Sequence, residues 1–157
     1  MRVSKAPIVT LAPGVHRIPT LGDFINSYAF VDDDGSVTLV DCGLKRAPAK
    51  IVRALSAIGK RPSDVQRILL THAHFDHASG AAQMVSQSSA QGVDVHEADA
   101  GYIESGKRAP GDRSGADRRP APECDTQRLA AGLAERCETG PRFNLFDSFD
   151  AFVRQVR

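Results

Sequence analysis

Hydrophobic and polar positions alternate through the first third of the chain as they do in β-strands. Residues 15–18 alternate, and residues 25–31 form a second run that contains two aromatic side chains. Residues 32–35 read Asp-Asp-Asp-Gly, a turn signal, because aspartate and glycine tolerate the dihedral angles of tight turns. The apolar run at residues 37–40 follows directly. This pattern predicts a β-hairpin whose second strand ends at Asp41.

The hydrophobic period then changes from two residues to that of a helix. A single apolar stripe predicts a helix over residues 47–58, and it consists of Ile51, Val52, Leu55 and Ile58. Residues 68–71 are apolar up to a threonine and predict a short strand that is buried on both faces. A strand, a helix and a buried strand in this order predict the α/β fold class.

Three further elements are predicted before residue 106. Residues 78–88 are rich in small side chains and predict a helix, residues 93–95 a strand, and residues 97–105 another short helix. The apolar side of the first of these helices is predicted to carry Ala81, Ala82 and Val85.

The composition changes near Gly106, which suggests a boundary in the chain. Residues 106–122 are rich in arginine, proline and glycine and predict a linker or a disordered segment. Residues 125–137 could form a helix, and the last residues predict an amphipathic helix that carries Leu145, Phe146, Phe149, Phe152, Val153 and Val156. We therefore expect one ordered unit at residues 1–109 and a divergent tail at residues 110–157 that is partly disordered or helical.

Composition and charge narrow the class of protein. The chain has 157 residues, 41% of them hydrophobic and 25% charged, which suits one globular domain. A net charge of +1 gives no electrostatic argument for a nucleic-acid partner, and no apolar run is long enough to predict a membrane span. Three cysteines lie at positions 42, 124 and 137 without paired spacing, so we expect free thiols and a cytoplasmic protein.

Residues 71–77 read Thr-His-Ala-His-Phe-Asp-His and contain the residue types of a metal-binding or catalytic site. At the end of an extended strand, His72 and His74 lie two residues apart and therefore on one side. Asp76 and His77 follow as the chain turns into the next helix. Imidazole and carboxylate groups together suit zinc, with iron or manganese as alternatives, and they are costly to bury without a partner. A polar loop without a metal is the competing interpretation.

The motif His-x-His-x-Asp-His at the end of an apolar strand resembles the signature of the metallo-β-lactamase superfamily, whose fold is a four-layer αβ/βα sandwich. Four other segments resemble the family in the expected order. They are Asn26-Ser27-Tyr28, Leu39-Val40-Asp41-Cys42-Gly43, Ser79-Gly80 and Val95-His96-Glu97-Ala98-Asp99. The resemblance covers about residues 9–105 and implies the amino-terminal half of the sandwich.

The resemblance also implies a function and a set of site residues. His72 and His74 would bind a first metal ion, and Asp76 and His77 a second, so that one or two zinc ions are expected. Asp76 would orient a metal-activated hydroxide, and Asp41 would fix a ligand histidine through its second ring nitrogen. The implied activity is hydrolysis of an ester, thioester, lactone or related bond in a small-molecule substrate.

Family members complete their metal sites with ligands further along the chain, and these have no counterpart in this sequence. Only five histidines are present and none follows His96, which matches a position that is not a ligand in the family. The alternative to a hydrolase is therefore a truncated, catalytically inactive remnant that binds metal weakly at most. A third interpretation is a homo-oligomer in which a partner copy supplies the missing ligands.

For the other candidate residues we expect roles in packing, at the surface or in turns. His16 reads as a half-exposed strand residue and His96 as a surface or packing residue. Cys42 behaves as a small hydrophobic side chain in such a position, and Asp41 could equally be a turn residue that ends its strand.

Overall fold

A computed structural model of the protein describes residues 7–111 and the backbone of residues 153–156. Its centre is one mixed sheet of seven strands that lie side by side in the order in which they occur along the chain. The strands are β1 (Val9–Ala12), β2 (Val15–Leu21), β3 (Ile25–Val31), β4 (Val37–Val40), β5 (Val65–Leu70), β6 (Val93–His96) and β7 (Val153–Val156).

The pairing of neighbouring strands changes from antiparallel to parallel at β4 and back to antiparallel at β7. Strands β1 to β4 are antiparallel neighbours joined by short turns. Strands β4, β5 and β6 are parallel, so the chain must cross over between them, whereas β7 pairs antiparallel with β6. The carboxyl ends of β4, β5 and β6 therefore lie at the same edge of the sheet.

Helices form the crossovers between the parallel strands. Helix α1 (Pro48–Ala57) and a 3₁₀ turn (Pro62–Asp64) connect β4 to β5, and the short helix α2 (Phe75–Ala78) and helix α3 (Ala81–Gln87) connect β5 to β6. Helix α4 (Glu97–Ser105) follows β6. Among the described residues, no helix has the length and apolar character that crossing a membrane would require.

One face of the sheet and the helices form a single hydrophobic core. Leu39, Ile68 and Val95 of the central strands are almost completely buried, and they share this core with Leu55 of α1 and Met84 of α3. At roughly 1.5–3 kcal/mol per buried aliphatic side chain, such a core is the main source of stability. It holds the carboxyl ends of β4 and β5 in fixed positions.

Most of the predicted elements are present. The hairpin of β3 and β4 closes through hydrogen bonds between Asp32 and Ser36, and helix α1 lies within the predicted range. Helix α4 has the predicted bounds, which confirms that interpretation. The α/β fold class is confirmed, whereas β1 is an additional strand that the sequence pattern did not predict.

Two features of β5 and its following helix differ from the prediction. In the second half of β5, Ile68 and Leu70 are buried on one face, whereas Arg67 and Leu69 on the other face are only half-buried. Arg67 is ion-paired with Asp94 of β6. The predicted helix at residues 78–88 is interrupted, so that α2 ends at Ala78 and α3 begins at Ala81. In α3, Met84 is buried and Ala82 is exposed, whereas the sequence pattern placed Ala82 on the apolar side of the helix.

The end of the chain also differs where it is described. Residues 153–156 were predicted to continue an amphipathic helix, but they form β7 because their backbone groups pair with β6. The predicted helix at residues 125–137 lies outside the described residues, as do Leu145, Phe146, Phe149 and Phe152 of the predicted terminal helix and the two cysteines Cys124 and Cys137. The domain boundary near residue 109 stays a prediction.

Candidate metal centre

The candidate site lies at the edge of the sheet where the parallel strands β4 and β5 end. Asp41 follows the last residue of β4, and Thr71 and His72 follow the last residue of β5. Helix α2 begins three residues later and carries Asp76 and His77. The carboxyl ends of neighbouring parallel strands are the usual place for a site in α/β folds, since loops that leave them converge there.

Backbone hydrogen bonds fix the loop after β4 against the helices after β5. The Asp41 N–H donates to the Leu69 carbonyl, and the Cys42 N–H donates to the His77 carbonyl. The Gly80 N–H then donates to the Gly43 carbonyl at 3.0 Å. An added Cβ at Gly80 would lie 2.2 Å from the Cys42 carbonyl oxygen, so only glycine fits at this contact. This close approach explains the break between α2 and α3.

Asp41 is the centre of the hydrogen bonding in the site. Its side chain is completely buried, and its φ of 59° is the only positive value at a non-glycine among the described residues. Its Oδ1 accepts the Thr71 backbone N–H at 2.9 Å, and its Oδ2 accepts the Thr71 hydroxyl at 2.9 Å. Oδ2 also lies 2.8 Å from Nδ1 of His77. The strained backbone is thus stabilised by a carboxylate with several partners.

Three of the four motif residues bring ligand atoms together. One ligand atom each from His72, Asp76 and His77 lies within 4.8 Å of the other two. The distance between His77 Nε2 and Asp76 Oδ2 is 3.5 Å. Two ligands of a tetrahedral zinc ion, each about 2.0–2.1 Å from the metal, are roughly 3.3 Å apart, so this pair fits a metal ion with little adjustment.

His74 has a different orientation from the other three. Its ring packs edge-on against His72, with ring centroids 4.4 Å apart, but its Nε2 lies 3.3 Å from the Pro110 carbonyl oxygen. It is not part of the group of converging ligand atoms. The chain beyond α4 therefore returns to the site, and Ala109 beside this contact is buried.

The pKa values of His72 and His77 shift in opposite directions. Burial lowers the pKa of His72, and the neighbouring His77 and His74 add to this effect. Burial alone would also lower the pKa of His77, but its hydrogen bond to Asp41 and the charges of Asp41 and Asp76 raise it overall. Of the two histidines, His77 is therefore the one whose pKa Asp41 affects more strongly.

The remaining candidate residues have structural roles. His16 lies on β2, where its Nδ1 is 3.1 Å from the Thr10 hydroxyl. His96 caps α4, since its Nδ1 accepts the Ala98 N–H at 3.2 Å. Cys42 is completely buried in the core, and burial, with a smaller effect of Asp41, raises the pKa of its thiol. A thiol in such surroundings is unreactive.

Thr71 is the functional candidate that the sequence interpretation did not include. Its hydroxyl oxygen lies 2.9 Å from His72 Nδ1 as well as within hydrogen-bond distance of Asp41. The available signal was its position between a buried strand and the first motif histidine. The partner, Asp41, is thirty residues away in sequence, and only the parallel pairing of β4 with β5 brings the two together.

The sequence of the chain is similar to that of a known protein family. A family model described as the metallo-beta-lactamase superfamily matches residues 21–140, which is more than half of the chain. The protein belongs to the metallo-beta-lactamase superfamily. Its motif residues and Asp41 all lie within the matched segment, and the resemblance of the motif to this superfamily is confirmed.

Individual superfamily members are similar over part of their length. The Rm3 metallo-beta-lactamase is 26% identical with a TM-score of 0.61, and 76% of this chain covers 44% of it. The native FEZ-1 metallo-beta-lactamase of Legionella gormanii is 28% identical with a TM-score of 0.58, and 64% of this chain covers 37% of it. The uncharacterized protein YobT of Bacillus subtilis is 38% identical over 64 residues, which are 41% of this chain and 25% of YobT.

This superfamily chain therefore spans less than half the length of these relatives. Its α/β sheet and helices correspond to part of the superfamily fold. The donor set of His72, Asp76 and His77 suits a metal ion, as is typical of the superfamily.

Proposed function

We propose that the protein is a zinc-dependent hydrolase that cleaves an ester, thioester, lactone or related bond in a small molecule. The observation that carries the proposal is the convergence of His72, Asp76 and His77 at the carboxyl end of the parallel strands, within a superfamily fold. Iron or manganese would suit the same mixture of imidazole and carboxylate ligands.

The proposed ligands are supported by the groups behind them. His77 has Nδ1 bound to buried Asp41, and His72 has Nδ1 next to the Thr71 hydroxyl, so Nε2 is the nitrogen that each ring can offer to a metal. Outer partners of this kind hold the ring orientation and make the imidazole a better ligand. His74 would join the site if its ring turned away from the Pro110 carbonyl.

When bound, zinc would lower the pKa of a coordinated water to about 7 and polarise the substrate carbonyl. Asp76 is half-buried at the start of α2, where its carboxylate can accept a proton from the attacking water and orient it. The hydrogen bond from the Cys42 N–H to the His77 carbonyl holds α2 against the loop that follows β4.

The first prediction concerns turnover. The full chain with added zinc should hydrolyse chromogenic ester, thioester and lactone probes, and Asp76→Asn should lower the rate of the best probe by at least about 100-fold. Asp99→Asn, on α4 and outside the site, is the matched control and should retain activity. A chelator should abolish the activity, and added zinc should restore it.

The alternative is a catalytically inactive superfamily remnant. Bound zinc without turnover of any probe would favour that alternative and would contradict the proposed hydrolase. Turnover whose rate per molecule rises steeply with protein concentration would instead indicate that a homo-oligomer completes the metal ligands.

A further inference from the structure

Thr71 joins Asp41 to His72 through a single hydroxyl group. Its Oγ1 lies 2.9 Å from Asp41 Oδ2, 3.1 Å from Asp41 Oδ1 and 2.9 Å from His72 Nδ1. Its backbone N–H donates to Asp41 Oδ1 at 2.9 Å. The backbone and the side chain of Thr71 are therefore both held by the same carboxylate.

Counting the protons fixes the direction of these hydrogen bonds. A hydroxyl has one proton, and an ionised carboxylate only accepts. The Thr71 hydroxyl must donate to Asp41, which leaves its oxygen to accept the Nδ1–H of His72. His77 donates its own Nδ1–H directly to Asp41 Oδ2 at 2.8 Å. Both neutral rings then carry the proton on Nδ1, and each has its lone pair on Nε2.

We propose that Thr71 is a positioning residue, whose hydroxyl passes the orienting effect of Asp41 on to His72 and holds that ring in the Nδ1–H form. One buried carboxylate thus sets the tautomer of two histidines, one directly and one through Thr71. The consequence for metal binding rests on the proposed function, whereas the tautomer itself does not.

The chain offers a matched pair of substitutions at this position. Thr71→Val keeps the shape, the β-branching and the backbone N–H that donates to Asp41, and it removes only the hydroxyl. Thr71→Ser keeps the hydroxyl and removes a methyl group. A purely structural role would make the two variants similar, whereas a positioning role requires that serine, and not valine, preserves the properties of His72.

The test is a long-range ¹H–¹⁵N correlation spectrum of the imidazole groups of the metal-free full chain at mildly alkaline pH. In the wild type and in Thr71→Ser, His72 should be in the Nδ1–H form. In Thr71→Val, His72 should populate both tautomers. His77 should keep its Nδ1–H form in all three proteins and serves as the internal reference, because its bond to Asp41 does not involve Thr71.

Two results would overturn the proposal. One is a wild-type spectrum with the proton of His72 on Nε2, which needs no variant and so does not depend on whether Thr71→Val folds. The other is an unchanged His72 signal in a folded Thr71→Val protein. Folding of each variant is checked by circular dichroism.

The second measurement is the affinity for zinc, determined by competition with a chromophoric chelator. Thr71→Val should weaken binding about 10- to 100-fold, and Thr71→Ser should stay close to the wild type. If the tautomers behave as expected but no protein binds zinc, the proposed function fails and the role of Thr71 in orienting His72 stands. Equal zinc affinity of Thr71→Val and the wild type would overturn the effect on metal binding.

Discussion

Asp41 combines a buried charge with a backbone conformation that most residues avoid. Asparagine and aspartate enter the left-handed region at less cost than other side chains, because their short polar groups bond locally. In this protein the carboxylate also accepts hydrogen bonds from Thr71 and His77 across the strand ends. The residue thus connects the strain in one loop to the geometry of the candidate metal ligands.

Asp41→Asn tests this connection without disturbing the backbone, since asparagine tolerates the same φ. The amide has one acceptor oxygen in place of two and no charge, so it cannot accept all three hydrogen bonds that the carboxylate accepts from His77 and from the hydroxyl and backbone N–H of Thr71. We expect zinc affinity to fall about 10- to 100-fold. Competition titration with a chelator measures this change.

Asp94→Asn is the matched control, because Asp94 is also a buried acid but pairs with Arg67 away from the motif. It should lower the free energy of unfolding and leave zinc affinity unchanged. Equal losses of zinc affinity in both variants would mean that Asp41 acts through general stability and not through the histidines.

The sequence predicts only some of the residues of the site. It indicates His72, His74, Asp76 and His77 as candidate ligands, because ligand types crowded after a strand are rare by chance, and the ligand atoms of three of them converge, with His74 outside the group. It did not identify Thr71, and it left Asp41 open between a turn and a role behind the ligands. The importance of both depends on distances across strands that are far apart in sequence, as between Asp41 and Thr71.

At the scale of elements, the site depends on how α2 and α3 pack against the end of β4. Gly80 lies at this junction, where its N–H binds the Gly43 carbonyl and its Cα faces the Cys42 carbonyl and the Pro48 ring. Two short helices separated by this contact place Asp76 and His77 at the site.

Gly80→Ala should therefore destabilise the fold, since the new methyl group would lie 2.2 Å from a backbone oxygen. We expect a loss of about 1–3 kcal/mol or more in the free energy of unfolding, measured by urea denaturation. Gly101→Ala on α4 is the control. Nothing lies within 4 Å of its added methyl group, so the variant should gain roughly 0.5–1 kcal/mol. Similar effects of the two substitutions would contradict the packing described for Gly80.

The elements that the sequence predicted well are those with strong local signals. Helix α1 has an apolar stripe and a proline in its first turn, and the hairpin of β3 and β4 has an aspartate-glycine turn. Strand β1 has four residues and little alternation, and residues 153–156 form a strand only because β6 lies beside them. Pairing between strands that lie far apart in sequence depends on the rest of the fold, so a local sequence pattern does not predict it.

At the scale of the whole molecule, the chain contains the part of the superfamily fold that carries the His-x-His-x-Asp-His motif. The five histidines include two, His16 and His96, that bond elsewhere in the described residues. Within the described residues, the converging ligand atoms are those of His72, Asp76 and His77. Three protein ligands are the usual number for a catalytic zinc ion.

Binding of zinc to the folded chain alone should raise its thermal stability. At a zinc concentration about 100 times the dissociation constant, the gain is about 2.7 kcal/mol, which corresponds to roughly 5–10 °C in Tm for a protein of this size. Differential scanning fluorimetry with zinc and with a chelator measures the shift. The double variant His72→Ala/His77→Ala should show no shift, and a shift of the same size in that variant would place the zinc elsewhere.

Elemental analysis of the purified full chain tests directly whether the motif residues form a metal centre. The comparison proteins are His72→Ala/His77→Ala and the control His16→Ala/His96→Ala, which removes the same number of imidazoles outside the site. We expect near-stoichiometric zinc, or iron or manganese in its place, in the wild type and the control, and its loss in the site variant. Metal at the same level in the site variant, or none in the wild type after incubation with zinc, would contradict a metal centre at the ends of β4 and β5.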